Sequence, residues 1–463
     1  MADFSQFVKQ LNAVINNSSD TNLQLPPQTQ MPLTTQTHLQ MQSTVTESES
    51  TGVKRNIKIL IVTTHANQIN GYSKVIYNLI QQLATRPWIE VVHFGTQKML
   101  NADIGRTYPA SVKVIDATAL EKTKQTGFAF AELPGVITAE KPDVVFIYND
   151  ISVICGYIEE IRKTIQNRNF RIWAYIDTCY QPQPQQMLDV INRDVERIFC
   201  FTKGWKDALK LQGVTRPVDV MPHAFDPKMI RPIPRDLARQ TLGLPKDVFL
   251  FTSVNKNIPR KRLDLLVMSF VKLIVRFPMK QIFMLIVSDK GDRGGHQLFE
   301  IFAREIKLAG GSLDVLGNRL LITSKDTCYK DEDINLLNNV GDAGMSCAEG
   351  EGFGLCSFEQ MAVGIPQIVP EINGYIEYCN ENNSLLVKPR MRYYNPVSYN
   401  IVCGEAQLVD PEDVSKAMER YVFDEDLRKL HGKLAKENVE KYSWDRVCTP
   451  LIRRLRAIQE DDD

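Results

Sequence analysis

From Ile57 onward, short apolar runs alternate with stretches in which apolar residues recur at helical spacing. Lys58-Ile59-Leu60-Ile61-Val62 is the first run, and Val75, Ile76, Leu79, Ile80 and Leu83 then mark one face of a helix opened by Gly71. Further strand candidates lie at 91–94, 112–115, 144–148, 172–176, 198–201 and 218–221. Pro232-Ile233-Pro234 breaks the rhythm, which restarts with candidates at 248–252, 283–287, 320–322, 343–346 and 365–369. Near-continuous apolar strands separated by helices predict parallel sheets covered on both faces. The reading is therefore α/β, with two doubly wound Rossmann-like domains at 56–230 and 231–445 facing each other across a cleft. In such sheets ligands bind outside the carboxyl ends of the strands. Residues 388–405 read as a long loop, a lid or an acceptor contact.

The first 55 residues follow another pattern. Phe4, Phe7, Val8, Leu11, Val14 and Ile15 share a helical face, and the stretch that follows is rich in Gln, Thr, Ser and Pro. Such a stretch buries too little to offset chain entropy, so 1–55 is expected to be a disordered tail with a short amphipathic start. His296 and His431 read as exposed, and Glu460-Asp461-Asp462-Asp463 as a solvated acidic ending.

Composition narrows the function classes. The chain of 463 residues balances 55 basic against 55 acidic side chains, so no net field favours nucleic acid or an anionic membrane. Nine cysteines without a Cys-x-x-Cys pair indicate neither a zinc knuckle nor a disulfide framework. The start lacks a signal peptide's basic and apolar regions, and no apolar run is of spanning length. These features lead to the expectation of a cytoplasmic protein, with peripheral membrane contact through the amphipathic start left open.

Two segments carry chemistry. In Glu349-Gly350-Glu351-Gly352-Phe353-Gly354-Leu355, a glycine-rich turn runs into a short helix bearing Glu359. Glycines admit a ligand close to the backbone, and the exposed amides of a helix start favour an anion. Glu351 and Glu359 would grip hydroxyls on either side of a phosphate. In Lys256-Asn257-Ile258-Pro259-Arg260-Lys261-Arg262, three successive cations in a first helical turn oppose the helix dipole, a conflict that a bound diphosphate removes. A solvated basic turn is the equal alternative for that segment alone.

Taken together, Glu351-x7-Glu359 with Gln360-Met361-Ala362-Val363-Gly364-Ile365-Pro366, Lys261-Arg262-Leu263-Asp264 and Met221-Pro222-His223-Ala224-Phe225-Asp226 resemble the signature of retaining glycosyltransferases of family 4, over roughly residues 56–457. The resemblance implies the GT-B fold, a nucleotide-sugar donor and no metal or other cofactor. It implies that Lys256, Lys261 and Glu351 serve the reaction and that Lys256 and Lys261 stabilise the departing diphosphate. Glu359 would hold the ribose, while Gly71, Gly352, Phe353, Gly354 and Leu355 would shape the donor site. It also implies a final helix, within 446–463, that crosses back to the first domain.

Departures are visible at Arg262 and Ala224, where the family carries glycine, and at Asp177, where it often carries histidine. Asp177, Asn149, Asp150 and His223 end predicted strands of the first domain and are the acceptor-side candidates, His223 more plausibly as a structural histidine with its bonds satisfied. His65 follows the first strand and could face the cleft. The expected partners are a nucleotide-sugar donor and a glycan, lipid or protein acceptor, with no nucleic acid. A nucleotide-sugar epimerase and a non-catalytic scaffold on the same fold are the alternatives.

Overall fold

The computed structural model describes residues 55–100, 104–122, 126–288, 295–323, 329–395 and 403–461. The amphipathic start and all but the last residue of the tail read at 1–55 lie outside them, as do Asp289–Asp292 and the last two aspartates.

The first lobe is a seven-stranded parallel sheet of β1 (Ile57–Thr64), β2 (Ile89–Thr96), β3 (Lys113–Asp116), β4 (Val144–Asp150), β5 (Arg171–Asp177), β6 (Arg197–Cys200) and β7 (Val218–Val220), in the order β3-β2-β1-β4-β5-β6-β7. The second lobe is a six-stranded parallel sheet of β8 (Phe249–Val254), β9 (Ile282–Val287), β10 (Leu320–Ile322), β11 (Ala343–Met345), β12 (Gln367–Pro370) and β13 (Ser384–Val387), in the order β10-β9-β8-β11-β12-β13. Strand order reverses between β1 and β4 in one sheet and between β8 and β11 in the other. The crevices at these reversals are where open α/β sheets take ligands.

Five helices matter to the site: α1 (Gly71–Ala84), α2 (Leu263–Arg276), α3 (Asp331–Asn338), α4 (Leu355–Ala362) and α5 (Thr449–Asp461). Helix α1 starts sharply because Asn70 Oδ1 accepts from the Ser73 amide at 2.8 Å, a capping interaction. Its apolar face, Val75, Ile76, Leu79, Ile80 and Leu83, is buried against β1. Leu451, Leu455 and Ile458 of α5 join the same core, and the Gln459 side-chain amide donates to the Arg55 carbonyl at 2.6 Å. The end of the chain thus packs on the first lobe.

Several expectations are corrected. The stretch read as a loop at 388–405 contains an antiparallel ribbon, β14 (Met391–Asn395) with β15 (Gly404–Leu408); residues 396–402 lie outside the description. Alternating burial in β15 reflects one face laid against the first lobe, where the Glu405 amide donates to Gln181 O at 2.7 Å. Strand β13 was not anticipated, because only Leu385-Leu386-Val387 is apolar. Arg260 and Lys261 sit in a 3-10 turn, Pro259–Lys261, and Arg262 adopts the left-handed conformation with φ 49° before α2 begins. The cations therefore precede the helix rather than occupy its first turn.

Among the histidines, His431 is buried, 2.8 Å from the Tyr421 hydroxyl, and His296 is half-buried with Nε2 3.4 Å from Asp264.

Candidate active site

The carboxyl ends of the two sheets enclose a cleft of about 780 Å³. Gly71, Asn149, Asp150, Asp177 and His223 line it from the first lobe; Lys256, Lys261, Glu351 and Glu359 line it from the second, with Gly352, Phe353, Gly354 and Leu355. All the site residues read from the sequence therefore border one space.

Glu351 is buried and holds two cations of the 3-10 turn: Lys261 Nζ on Oε1 and Arg260 Nη1 at 3.1 Å from Oε2. Burial alone would raise this carboxyl, but the Lys261 and Arg260 charges hold it below the usual range. The cluster explains the crowded cations without a ligand, since a protein carboxylate already faces them. Arg262 is served in the same way by Asp264, and Lys256 stands exposed at the cleft.

Glu359 is buried and accepts from Lys74 Nζ of α1 at 2.7 Å, a bond between the lobes. Beside it Arg106 places Nε and Nη2 on the two oxygens of Asp331, each at 2.8 Å, at the start of α3. Burial opposes the charge on Lys74, while Glu359 and then Asp331 raise its pKa above the ordinary lysine value. Two cations of one lobe thus clasp two acids of the other. Sequence reasoning missed Lys74, Arg106, Asp331, Arg260's role and Tyr72. Lys74 borders the apolar stripe of α1, the one visible hint; Arg106 lies in irregular chain, and Asp331 reads as an ordinary acidic helix start.

The glycines divide their work. Gly354 has φ +85° as the residue before α4, and a Cβ there would overlap the Tyr375 ring. At Gly352 a Cβ would overlap the Asp177 carboxylate, so this glycine lets the two lobes meet. Gly71 faces open space apart from Leu355 Cδ2 at 3.9 Å.

Opposite Glu351, the Tyr72 hydroxyl lies 2.8 Å from Asp177 Oδ2 and 3.2 Å from Asp150 Oδ1. One phenolic proton cannot satisfy two carboxylates. Burial and then the Asp177 charge raise Asp150 to about 7, while Tyr72 and Arg260 partly offset them; Asp177 is also raised, by burial first. Between its ordinary 3.8 and about 7 the folded protein therefore holds a proton that the unfolded chain releases. Stability must fall as pH rises through that window and level off above it. Asp150→Asn is expected to remove this slope, so its melting temperature should gain on wild type between pH 5 and 8. Parallel melting curves over that range would remove Asp150 as the proton's holder.

His223 is not the satisfied histidine expected. It is buried at 5% exposure, neither ring nitrogen has a hydrogen-bond partner, and burial pushes it down to about 3. The rings of Tyr148, Tyr175, Phe201 and Phe353 surround it. His65 does not face the cleft. It packs on His93 and Tyr108, accepts from the Asn67 amide at 2.9 Å, and is lowered to about 4 by burial and Lys98.

No family model matches the chain. It is 23% identical over 267 residues to a D-inositol 3-phosphate glycosyltransferase of Saccharomonospora viridis, a match covering 57% of this chain and 54% of that protein. The chain thus spans about half the length of that curated relative. Among solved structures, sucrose-phosphate synthase from Thermosynechococcus elongatus superposes with a TM-score of 0.67 at 17% identity, over 87% of this chain and 99% of that one. Anabaena HepE in complex with UDP-glucose superposes at 0.62 and 15% identity, over 87% and 100%. The fold is GT-B.

In this GT-B frame, Trp444 is buried beside the segment that returns to the first lobe, and Arg86 reaches Asp445 at 3.2 Å. Among the described residues no helix is long and apolar enough to cross a membrane.

Proposed function

We propose that the chain is a retaining glycosyltransferase of the family 4 type, moving a hexose from a UDP- or GDP-linked donor to a hydroxyl acceptor without a metal, in the cytoplasm or at a membrane surface. The observation that carries this reading is the gathering of Lys256, Lys261, Glu351 and Glu359 around one cleft at the strand reversals. Glycosidic cleavage of a sugar diphosphate needs leaving-group charge stabilised as oxocarbenium character develops. Lys256 and Lys261, with the amides at the start of α4, supply that charge. Glu351 then faces the sugar's hydroxyls, and Glu359 shares its oxygens between Lys74 and the ribose. Retention places the acceptor hydroxyl on the leaving-group face, and ion pairs across the lobes keep water out while the bond breaks.

Calorimetric titration of UDP and GDP with EDTA present tests the reading. One nucleotide should bind, and Glu359→Ala should weaken it about 10- to 100-fold, the worth of hydrogen bonds to a charged group. Unchanged affinity in the variant would sink the ribose role; no binding of either nucleotide would sink the donor site altogether.

A further inference from the structure

On the reading that the cleft takes a nucleotide sugar, we infer that Trp205 of the first lobe is a positioning residue for the diphosphate site of the second. Its indole N–H sets the direction of the amides that receive the anion. Nε1 donates to Gly352 O at 2.9 Å and to Glu351 O at 3.2 Å. One donor thus holds two successive peptide groups of the glycine-rich turn. Both peptides are trans, so each N–H opposes its carbonyl, and the amides of Gly352 and Phe353 point away from Trp205. Among the described residues, none accepts from the amides of Gly352, Phe353, Gly354 or Leu355. All four residues border the cleft, and Gly352 and Phe353 are buried. Buried amides are nearly always paired, and a run of successive unpaired ones makes an anion-binding nest.

Trp205 lies outside the cleft's lining, so it braces the turn from behind and acts on a ligand only through it. The indole is itself well held. Thr202 Oγ1 accepts from the Trp205 amide at 3.0 Å and caps the helix Lys203–Leu211, while the ring packs in the first lobe's core. The same helical turn is seated on the second lobe. The Lys203 amide donates to Glu377 Oε2 at 3.0 Å, and a Cβ on Gly204 would overlap Asn373 Oδ1. Three successive residues of one lobe therefore dock on the other, and the last of them fixes the nest. The nest of the second lobe is set by the docking of the first. Linkage makes the effect reciprocal: if Trp205 strengthens diphosphate binding, the diphosphate must tighten the Trp205 contact by the same factor.

The test uses the full chain, with UDP and GDP as diphosphate probes and uridine and guanosine as probes that lack the diphosphate. Trp205→Phe keeps an aromatic ring and deletes the N–H. It should weaken whichever diphosphate binds by about tenfold, the scale of a misaligned charge-assisted hydrogen bond, and leave affinity for the matching nucleoside unchanged. In isotope-labelled wild type, the Trp205 indole N–H should exchange with solvent about tenfold more slowly once the diphosphate is bound, and at its original rate with the nucleoside. The signal is assigned by its absence from Trp205→Phe, or by elimination with Trp88→Phe, Trp173→Phe and Trp444→Phe if that variant does not fold. Unchanged diphosphate affinity in the folded variant overturns the inference and leaves the donor reading standing. So does an equal loss of diphosphate and nucleoside, which marks a general loosening of the cleft, and so does an exchange rate that the diphosphate leaves unmoved. A wild-type chain that binds neither diphosphate overturns the donor reading, and this inference with it.

Discussion

Lys261→Ala is expected to lower turnover about 10²- to 10³-fold, the usual consequence of losing one preorganised group that meets charge as it develops. The ammonium sits on the buried Glu351 carboxylate, at the turn that precedes α2. In the proposed reaction it serves both that acid and the departing diphosphate, so its loss removes charge where the bond breaks. The fold should survive, because Arg260 at 3.1 Å and the Tyr375 hydroxyl at 3.4 Å still face Glu351. Steady-state rates with the activated sugar, next to a melting curve, check both halves. A folded variant with wild-type turnover would take Lys261 out of the mechanism.

The largest expected loss of stability lies away from the cleft. Arg239→Ala should cost about 3–5 kcal/mol, the range for breaking a buried ion pair from one side. The guanidinium is wholly buried between the second sheet and its covering helix. It donates to the carbonyls of Val340, Lys246 and Val248 at 2.9–3.0 Å and to Asp342 Oδ2 at 2.7 Å. Asp342 in turn accepts from the Leu250 amide at 2.8 Å, which fastens the start of β8. Alanine strands those carbonyls in an apolar interior, and Arg239→Lys should recover little, because four diverging acceptors need a planar fork. Urea unfolding of the three proteins measures it. An unshifted midpoint in the alanine variant would mean that Arg235, whose Nη1 sits on Asp342 Oδ1, and the Leu250 amide suffice for Asp342.

What the sequence made legible follows from which forces are local. The parallel sheets were readable because strands buried on both faces must be apolar almost throughout, as in Ile59–Val62 and Phe283–Val287. The second lobe's half of the cleft was readable because its residues cluster in two contiguous segments. Across the cleft the signal fails. Lys74 and Glu359 are 285 positions apart and Arg106 and Asp331 are 225 apart, so nothing in either neighbourhood announces the pairing. The ribbon β14–β15 escaped for a related reason: its polar residues Arg392, Glu405 and Gln407 hide the alternation, and its order comes from Tyr180, Gln181 and Glu349. His223 was misjudged because a histidine after a strand gives no hint of the aromatic rings that isolate it.

The packing of α5 on the first lobe has a consequence for how the nascent chain matures. The ribosome completes β7 at Val220, but α5, which shares with α1 the cover of Ile57, Ile59 and Ile61, begins only at Thr449. At typical elongation rates that gap lasts on the order of tens of seconds. Throughout it the first sheet stands with an uncovered apolar strip, while the second lobe emerges and folds beside it. A holding chaperone has its natural substrate in that interval. Any attempt to express the first lobe by itself must carry residues 449–461 along, fused or supplied in trans, to complete the cover that α1 gives β1.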